Sequence, residues 1–400
     1  MEGKLAELLD EIVRAARAAV GDVQDVLGAE LQAAALSALW HPPDFQLDAE
    51  PEQLLVESVY PAIERGADAR ALAALRALAL VEDDGRAAGA ADRLAASGVT
   101  EPAWAPVPPV RPLRAALMRD PHFDDAHTVL VEFERDGEGR HVLGLLVDRS
   151  QGGFAKDALG ADTLDEVQAM TAGALPGLVA FDALDLGEAR ARIEDALDQT
   201  AHMLEAPISD ELGAMRVLLL ARARLLPEGH TVPEPEPRSP GEREELVRAF
   251  LKATGGRRFA RDEVAWQVLD LAVDFAEDHR GNALMWSPGV VEQFMVDWLP
   301  RVVGVDDALA DRVPELLPAW VRYAGRVRKV PKARAEEAAA AVAEHSGALH
   351  QAVAGGGVGR DPAHALAAAL ISAGVDLEDP DAVAAFISEF GLPPGSAGQP

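Results

Sequence analysis

The side chains best suited to chemistry lie in the segment 122–127, which reads HFDDAH. This segment offers two imidazoles and two carboxylates, and a further aspartate ends a strand predicted downstream. Such a mixture of ligands suits Zn²⁺, Mn²⁺ or non-haem iron, and a bound metal ion could activate water for hydrolysis. The candidate ligands are His122, Asp124, Asp125, His127 and Asp148.

Lys156 follows this group and comes just after the glycine pair Gly152 and Gly153. Its ammonium group could hold a phosphate or a carboxylate. A purely structural interpretation competes with the metal hypothesis, because short loops rich in aspartate and histidine commonly form turns. The spacing also matches no established metal-binding signature, and paired glycines serve tight turns with positive φ. We therefore predict no cofactor, with a divalent metal ion as the alternative.

Charge patterning marks two helices in the last third of the chain. On the helix predicted around 262–279, acidic or amide side chains recur every three or four residues, at Glu263, Gln267, Asp270, Asp274 and Glu277. Near 318–334 a basic stripe is formed by Arg322, Arg326 and Lys329, with Arg328, Lys332 and Arg334 nearby, and no acid interrupts 321–334.

Three interpretations of these stripes remain open. They could pair with each other, each could be a solvated helix face, or the basic stripe could bind an anionic partner. Nucleic acid is the weakest such partner, because only Tyr323 offers a stacking ring close by. The predicted anion or partner patch comprises Arg322, Arg326, Arg328 and Lys329, with Lys156 as a further candidate.

The elements that must position these residues begin with helices in a region 1–104. Apolar residues recur there at helical spacing, for example at Leu5, Leu8, Leu9, Ile12 and Ala16. Residues 105–226 are predicted to form a central α+β domain with a small antiparallel sheet.

Strand and helix signals support this central domain. Apolar and acidic residues alternate along 128–135, DGEG at 136–139 indicates a hairpin, and 140–148 returns as a buried strand. A further strand is predicted at 177–184. Helices are predicted to begin at two capping boxes, Thr163 with Glu166 and Asp185 with Glu188.

The proline-rich segment 227–240 is predicted to be an extended linker. A C-terminal helical domain, 241–392, follows it, and its first helix begins at a capping box formed by Ser239 and Glu242. Further helices are predicted to begin after Ser287, Asp361 and Asp379. The segment 355–359 is expected to be a connector, and 393–400 a disordered tail.

Composition limits the classes of protein to which the chain can belong. It has 400 residues, with 37 Lys and Arg against 67 Asp and Glu, a formal net charge of −30, and no Cys. The charge opposes binding to nucleic acid or anionic membranes, and the lack of Cys excludes thiolate metal sites and disulfides. The charged start does not resemble a signal peptide, and no uncharged apolar run could span a membrane. We therefore expect a cytoplasmic protein.

Two stretches carry a resemblance to other proteins. The segments 147–157 (VDRSQGGFAKD) and 286–300 (WSPGVVEQFMVDWLP) resemble uncharacterised proteins of high-GC actinobacteria. The resemblance spans the central and C-terminal thirds of the chain. It implies a cytoplasmic protein with this domain order and implies no activity.

The sequence thus predicts a mainly α protein with a small α+β central domain, a helical N-terminal region and a C-terminal helical bundle. No catalytic signature is present, and helical surfaces joined by a linker suit protein contacts. We therefore expect a non-enzymatic protein-interaction or regulatory protein whose partner is another protein, with its oligomeric state open. The alternative is a metal-dependent hydrolase with its site in the central domain.

Overall fold

A computed structural model describes residues 2–21, 23–40, 49–150, 152–203, 206–229, 237–301 and 306–354. Thirteen α-helices and one five-stranded antiparallel sheet occur within them, so the predicted mainly α class with a small α+β centre is confirmed. The chain divides into two compact units, Met1–Glu234 (unit 1) and Pro235–Pro400 (unit 2). This division falls within the segment 227–240 that the sequence predicts to be a linker, of which 230–236 lies outside the described residues.

Unit 1 combines helices with the whole sheet. Its helices are α1 (Glu2–Ala19), α2 (Val26–Ser37), α3 (Ala49–Glu64), α4 (Ala69–Val81), α5 (Arg86–Ala96), α6 (Leu164–Ala174), α7 (Leu186–His202) and α8 (Asp210–Ala223). Its strands are β1 (Val110–Arg119), β2 (Ala126–Arg135), β3 (Gly139–Asp148), β4 (Phe154–Ala161) and β5 (Ala180–Leu184). Helices α6 and α7 begin at the predicted caps, Thr163 and Asp185.

The sheet has the strand order β4-β3-β2-β1-β5. Its central hairpin pairs β2 with β3 from Ala126 opposite Asp148 to Arg135 opposite Gly139. Gly137 and Gly139 in the turn adopt positive φ angles of 84° and 92°, a conformation that side chains larger than glycine's disfavour. The sequence correctly predicts this hairpin.

The two faces of the sheet are covered unequally. Alternate side chains such as Val129, Val131 and Phe133 join the large core that includes residues of α1–α5, α7 and α8. The opposite face has a much smaller core, in which Leu130 and Val142 meet Leu164 of α6. One face therefore belongs to a core shared with seven helices, of which α7 and α8 pack directly on the strands, whereas α6 supplies the buried helical residues on the other.

The N-terminal helices and the sheet share one core. Trp40 and Leu72 of the helical region belong to the same buried cluster as Val131 of the sheet. The sequence divides this part of the chain into regions 1–104 and 105–226, whereas the structure places both within unit 1. The reason is that α7 and α8 pack on the apolar face of the sheet, and α2 and α4 pack in turn on α8.

A buried charge cluster crosses this shared core. Glu30 of α2 accepts hydrogen bonds from Arg135 of β2 and Arg222 of α8, each at 2.5 Å. All three residues are buried. Because a charge is costly to bury without a partner, this cluster specifies how α2, β2 and α8 meet.

Unit 2 consists of helices in its described part. They are α9 (Pro240–Lys252), α10 (Glu263–Arg280), α11 (Pro288–Glu292), α12 (Asp307–Val327) and α13 (Lys332–Ala354). The predicted capping box at Ser239 is present, because Ser239 and Glu242 bond each other's backbone N–H groups. The helix predicted after Ser287 begins there and continues beyond α11 as a π-helix, Gln293–Trp298.

The predicted connector at 355–359, the helices predicted after Asp361 and Asp379, and the tail 393–400 lie outside the described residues. Among the helices that the structure describes, none combines the length and apolar character needed to cross a membrane.

Candidate interaction surface

The loop 120–125 and the end of β3 lie side by side, as the metal hypothesis requires. The backbone N–H groups of Arg149 and Ser150 donate to the carbonyl oxygen of Asp125, at 2.8 and 3.0 Å. The Arg149 guanidinium pairs with the Asp124 carboxylate at 3.0 Å. The loop is therefore joined to the strand end by backbone bonds and by an arginine.

Asp148 is engaged by neighbouring side chains. Its Oδ1 accepts from the Ser150 hydroxyl at 2.6 Å, and its Oδ2 accepts from Lys156 Nζ at 2.9 Å. Burial raises the pKa of Asp148, but the bonds from Ser150 and Lys156 outweigh that effect, so the pKa lies below its usual value. Lys156, predicted to hold an anionic group of a ligand, instead neutralises this carboxylate.

His127 points away from Asp148. It lies two residues before Val129 on β2 and so shares the face of the large core, whereas Asp148 pairs with Ala126 and projects from the opposite face. Burial, with smaller contributions from nearby arginines, lowers the pKa of His127 to about 3. Its imidazole is therefore neutral and belongs to the interior.

The predicted metal ligands do not form a common site. His122, whose backbone N–H bonds Asp120 Oδ1 at 2.8 Å, lies with Asp124 and Asp125 in the loop, while the sheet separates the side chains of His127 and Asp148. Among the described residues, no group of three or more His, Asp or Glu side chains is arranged to hold a metal ion. Successive side chains along a strand point to opposite faces of the sheet, and this alternation keeps His127 and Asp148 apart.

The acidic stripe of α10 pairs partly with residues before and within α9. Glu277 accepts from the backbone N–H and the guanidinium of Arg238, at 2.8 and 2.7 Å, and Asp274 pairs with Arg243 at 2.7 Å. Asp270 has a raised pKa because of burial and the nearby charges of Asp274 and Glu244. This stripe thus contributes to the packing of α9 on α10.

The basic stripe gathers where α12 ends and α13 begins. Arg322 pairs with Glu336 of α13 at 2.8 Å, and the Arg326 guanidinium lies 5.9 Å from the centre of the Tyr323 ring. Arg328 and Lys329 form the turn after α12, where positive charge is favourable beside the C-terminal end of a helix dipole. These contacts give the basic residues a role within the hairpin of α12 and α13.

Three of the exposed large apolar side chains in the described part of the chain lie in and just after the last turns of α6. Leu164 and Val167 are buried against the sheet, but Met170, the next residue at helical spacing, is 65% exposed. Leu175 and Leu178, just after the helix, are 45% and 39% exposed. We name residues 169–178 the α6 surface.

The base of α6 is firmly positioned beneath this surface. The backbone N–H of Leu164 donates to Glu132 Oε1 at 3.2 Å, and Arg114 bridges Glu132 and Asp165 at 2.6 and 2.8 Å. The Thr163 hydroxyl caps the helix by accepting from the Glu166 N–H. Met170 is therefore presented by an ordered helix on a sheet, and Leu175 and Leu178 lie in the segment that follows this helix.

The sequence analysis overlooked this surface, although a signal was present. No charged residue occurs from 167 to 181 in a chain of net charge −30. The sequence contains too little strand or helix periodicity there to show which apolar residues the fold leaves exposed.

In comparisons with known proteins, no family model matches the chain, and neither a curated protein nor a solved structure gives a significant match. Its function must therefore be inferred from its own surfaces.

Proposed function

We propose that this chain is a non-enzymatic protein-interaction protein and that the α6 surface is where it binds its partner. The observation that carries the proposal is the exposure of Met170, Leu175 and Leu178 within ten residues of an otherwise highly charged chain. Contiguous exposed apolar surface commonly marks a binding site. The proposal retains the cytoplasmic location expected from the sequence.

Physical chemistry supports docking at this position. Full burial of a leucine or methionine side chain contributes about 1.5–3 kcal/mol, and these three side chains are about half exposed. A partner that covers them therefore gains about 3 kcal/mol from these residues alone. An ordered helix also loses little conformational freedom on binding.

The hydrolase alternative has no comparable support. It requires His122, Asp124, His127 and Asp148 to converge, and the sheet register directs His127 and Asp148 to opposite faces. The amino group of Lys156 already pairs with Asp148. We therefore do not retain hydrolysis as a second candidate.

Affinity capture from an extract of the source cells tests the proposal. The wild-type chain is compared with the double variant Met170→Glu/Leu178→Glu, which places charge on the α6 surface. The matched control is Leu39→Glu/Leu225→Glu, because these leucines are also exposed, at 57% and 44%, and lie elsewhere in unit 1. Circular dichroism establishes that all three proteins are folded.

We expect one or more proteins to be retained by the wild type and by the control, and to be lost from the α6 variant. Equal retention by all three proteins would show that the α6 surface is not the binding site. Retention of no specific protein by the wild type would also contradict the proposal.

A further inference from the structure

The charges around the α6 surface indicate the chemistry of its partner. Between residues 157 and 189 the chain has no Lys or Arg, and its acidic residues there are Asp157, Asp162, Asp165, Glu166, Asp182, Asp185 and Glu188. Five of them, Asp162, Asp165, Glu166, Asp182 and Asp185, are exposed. The apolar residues are therefore flanked by carboxylates on both sides in the sequence.

Basic residues from elsewhere in unit 1 neutralise only part of this charge. Arg114 pairs with Asp165 at 2.8 Å, and Arg119 pairs with Asp182 at 2.7 Å. Asp162 and Glu166 form no ion pair within the described residues. The border of the α6 surface consequently keeps a net negative charge.

We propose that the partner docks an amphipathic segment whose apolar side chains cover Met170, Leu175 and Leu178 and whose Lys or Arg residues face the surrounding carboxylates. This inference rests on the proposed function, because it specifies the partner of the same surface. Charges at the border of an interface select partners and accelerate association, while the apolar centre supplies most of the affinity.

Charge also weighs against the other possible occupants. A second copy that presents the same surface would bring two acidic borders together. The chain's own segment 355–400 contains one Arg and six Asp or Glu residues, so its formal charge is 1 − 6 = −5. An anionic membrane would be repelled for the same reason.

Two synthetic helical peptides with the same leucine face provide the test, one with lysines and the other with glutamates on its polar face. Each carries a fluorescent dye, and binding to the full-length chain is measured by fluorescence anisotropy. We expect the lysine peptide to bind at least about tenfold more tightly than the glutamate peptide, a difference of about 1.4 kcal/mol. The affinity should fall between about 0.1 M and 1 M salt, as the screening length shortens from about 10 Å to 3 Å.

Three variants separate the contributions of charge and apolar contact. Asp162→Asn/Glu166→Gln should weaken the lysine peptide about fivefold, as expected for two exposed charge pairs. Glu263→Gln/Asp307→Asn, which neutralises two exposed first-turn acids in unit 2, should leave the affinity unchanged. Met170→Ser/Leu178→Ser should abolish binding of the lysine peptide.

The outcomes distinguish this inference from the proposed function. Equal binding of both peptides, lost in Met170→Ser/Leu178→Ser, would overturn the basic partner and leave the α6 surface as a docking site. Binding of neither peptide would also overturn it, while the capture experiment decides the proposed function separately. Self-association in sedimentation experiments, abolished by the same serine variant, would identify a second copy as the occupant and overturn the inference.

Discussion

Individual buried histidines make the fold of unit 1 sensitive to acid. The ring of His141 on β3 stacks on Phe133 of β2, with ring centres 5.6 Å apart. Its Nε2 is buried and has no hydrogen-bond partner among the described residues. Burial, with smaller contributions from Arg222 and Arg135, lowers the pKa of His141 to about 4. The folded state therefore requires the neutral imidazole.

We predict that the free energy of unfolding decreases as the pH falls from about 6.5 to 4. In this range the unfolded chain binds a proton at His141, whose ordinary pKa is 6.5, and the folded chain does not. Each such histidine contributes a slope of about 1.4 kcal/mol per pH unit. Urea unfolding across this range should give a shallower slope for His141→Phe, which keeps a stacking ring that cannot be protonated.

Two comparisons make this prediction specific. His202 is exposed on α7, so His202→Phe should retain the wild-type slope. Part of the pH dependence of the unfolding free energy should persist in His141→Phe, because burial also lowers the pKa of His127. An identical slope in the wild type and His141→Phe would show that His141 does not titrate as its burial implies.

At the scale of elements, the Glu30 cluster specifies the packing of α2, α8 and β2. Burial lowers the pKa of Arg222, and the charge and hydrogen bond of Glu30 oppose that shift. Arg135 also donates to the carbonyl oxygen of Pro108 at 3.3 Å. The cluster therefore connects the N-terminal helices with the sheet and with the polypeptide that precedes β1.

We predict that Glu30→Gln lowers the free energy of unfolding by about 3–5 kcal/mol, because it leaves two buried arginines facing a neutral group. The partly exposed pair of Arg190 and Glu194, one turn apart on α7, supplies a control, since Glu194→Gln should cost at most about 1 kcal/mol. Chemical denaturation measures both changes. Replacing Glu30, Arg135 and Arg222 together with apolar residues should restore much of the stability. If this triple variant loses as much unfolding free energy as Glu30→Gln does, the destabilisation of Glu30→Gln does not come from unpaired buried charge.

The sequence predicts the elements that carry a regular local signal. The β2–β3 hairpin has alternating apolar residues and glycines at its turn, and the helix starts at Thr163, Asp185 and Ser239 have capping side chains. Strands β1 and β4 lack such signals, because β1 contains Pro112 and three arginines, and three of the eight residues of β4 are alanine, which has low strand propensity. Their conformation comes from pairing with β2 and β3, a tertiary effect that local patterns do not encode.

At the candidate sites, too, local sequence patterns do not reveal the contacts between distant residues. Sequence proximity correctly suggests that the loop before β2 adjoins the end of β3, but it does not show that Lys156 neutralises Asp148 or that His127 faces the core. Glu30 is acidic yet buried, because its two arginine partners come from β2 and α8, far along the chain. The α6 surface is apolar yet exposed, because Met170, Leu175 and Leu178 lie beyond the residues that α6 buries against the sheet.

At the scale of the whole molecule, the described structure supports two units with separate cores. The core of unit 1 joins Trp40 and Leu72 of the N-terminal helices with Val131 and Phe133 of the sheet. In unit 2, Phe250 of α9 packs edge-on against Trp320 of α12, with ring centres 5.4 Å apart. Removal of α1–α5 would leave α7 and α8 on the sheet, but α8 would lose α2 and α4, which pack on it, and Arg135 and Arg222 would lose Glu30. A cut between the units would leave the core of unit 1 complete.

We predict that a fragment of residues 1–234 folds independently, whereas a fragment of residues 105–234 does not. The shorter fragment corresponds to the central domain suggested by the sequence and keeps α7 and α8, but it lacks α2 and α4, which pack on α8, and Glu30, which pairs with Arg135 and Arg222. The longer fragment should unfold cooperatively on heating and should show near-ultraviolet circular dichroism from Trp40 and Trp104, both buried. The shorter one should bind a hydrophobic dye and lack a cooperative transition. Cooperative unfolding of 105–234 would show that the sheet needs no N-terminal helices, and that the boundary near residue 105 separates independent domains.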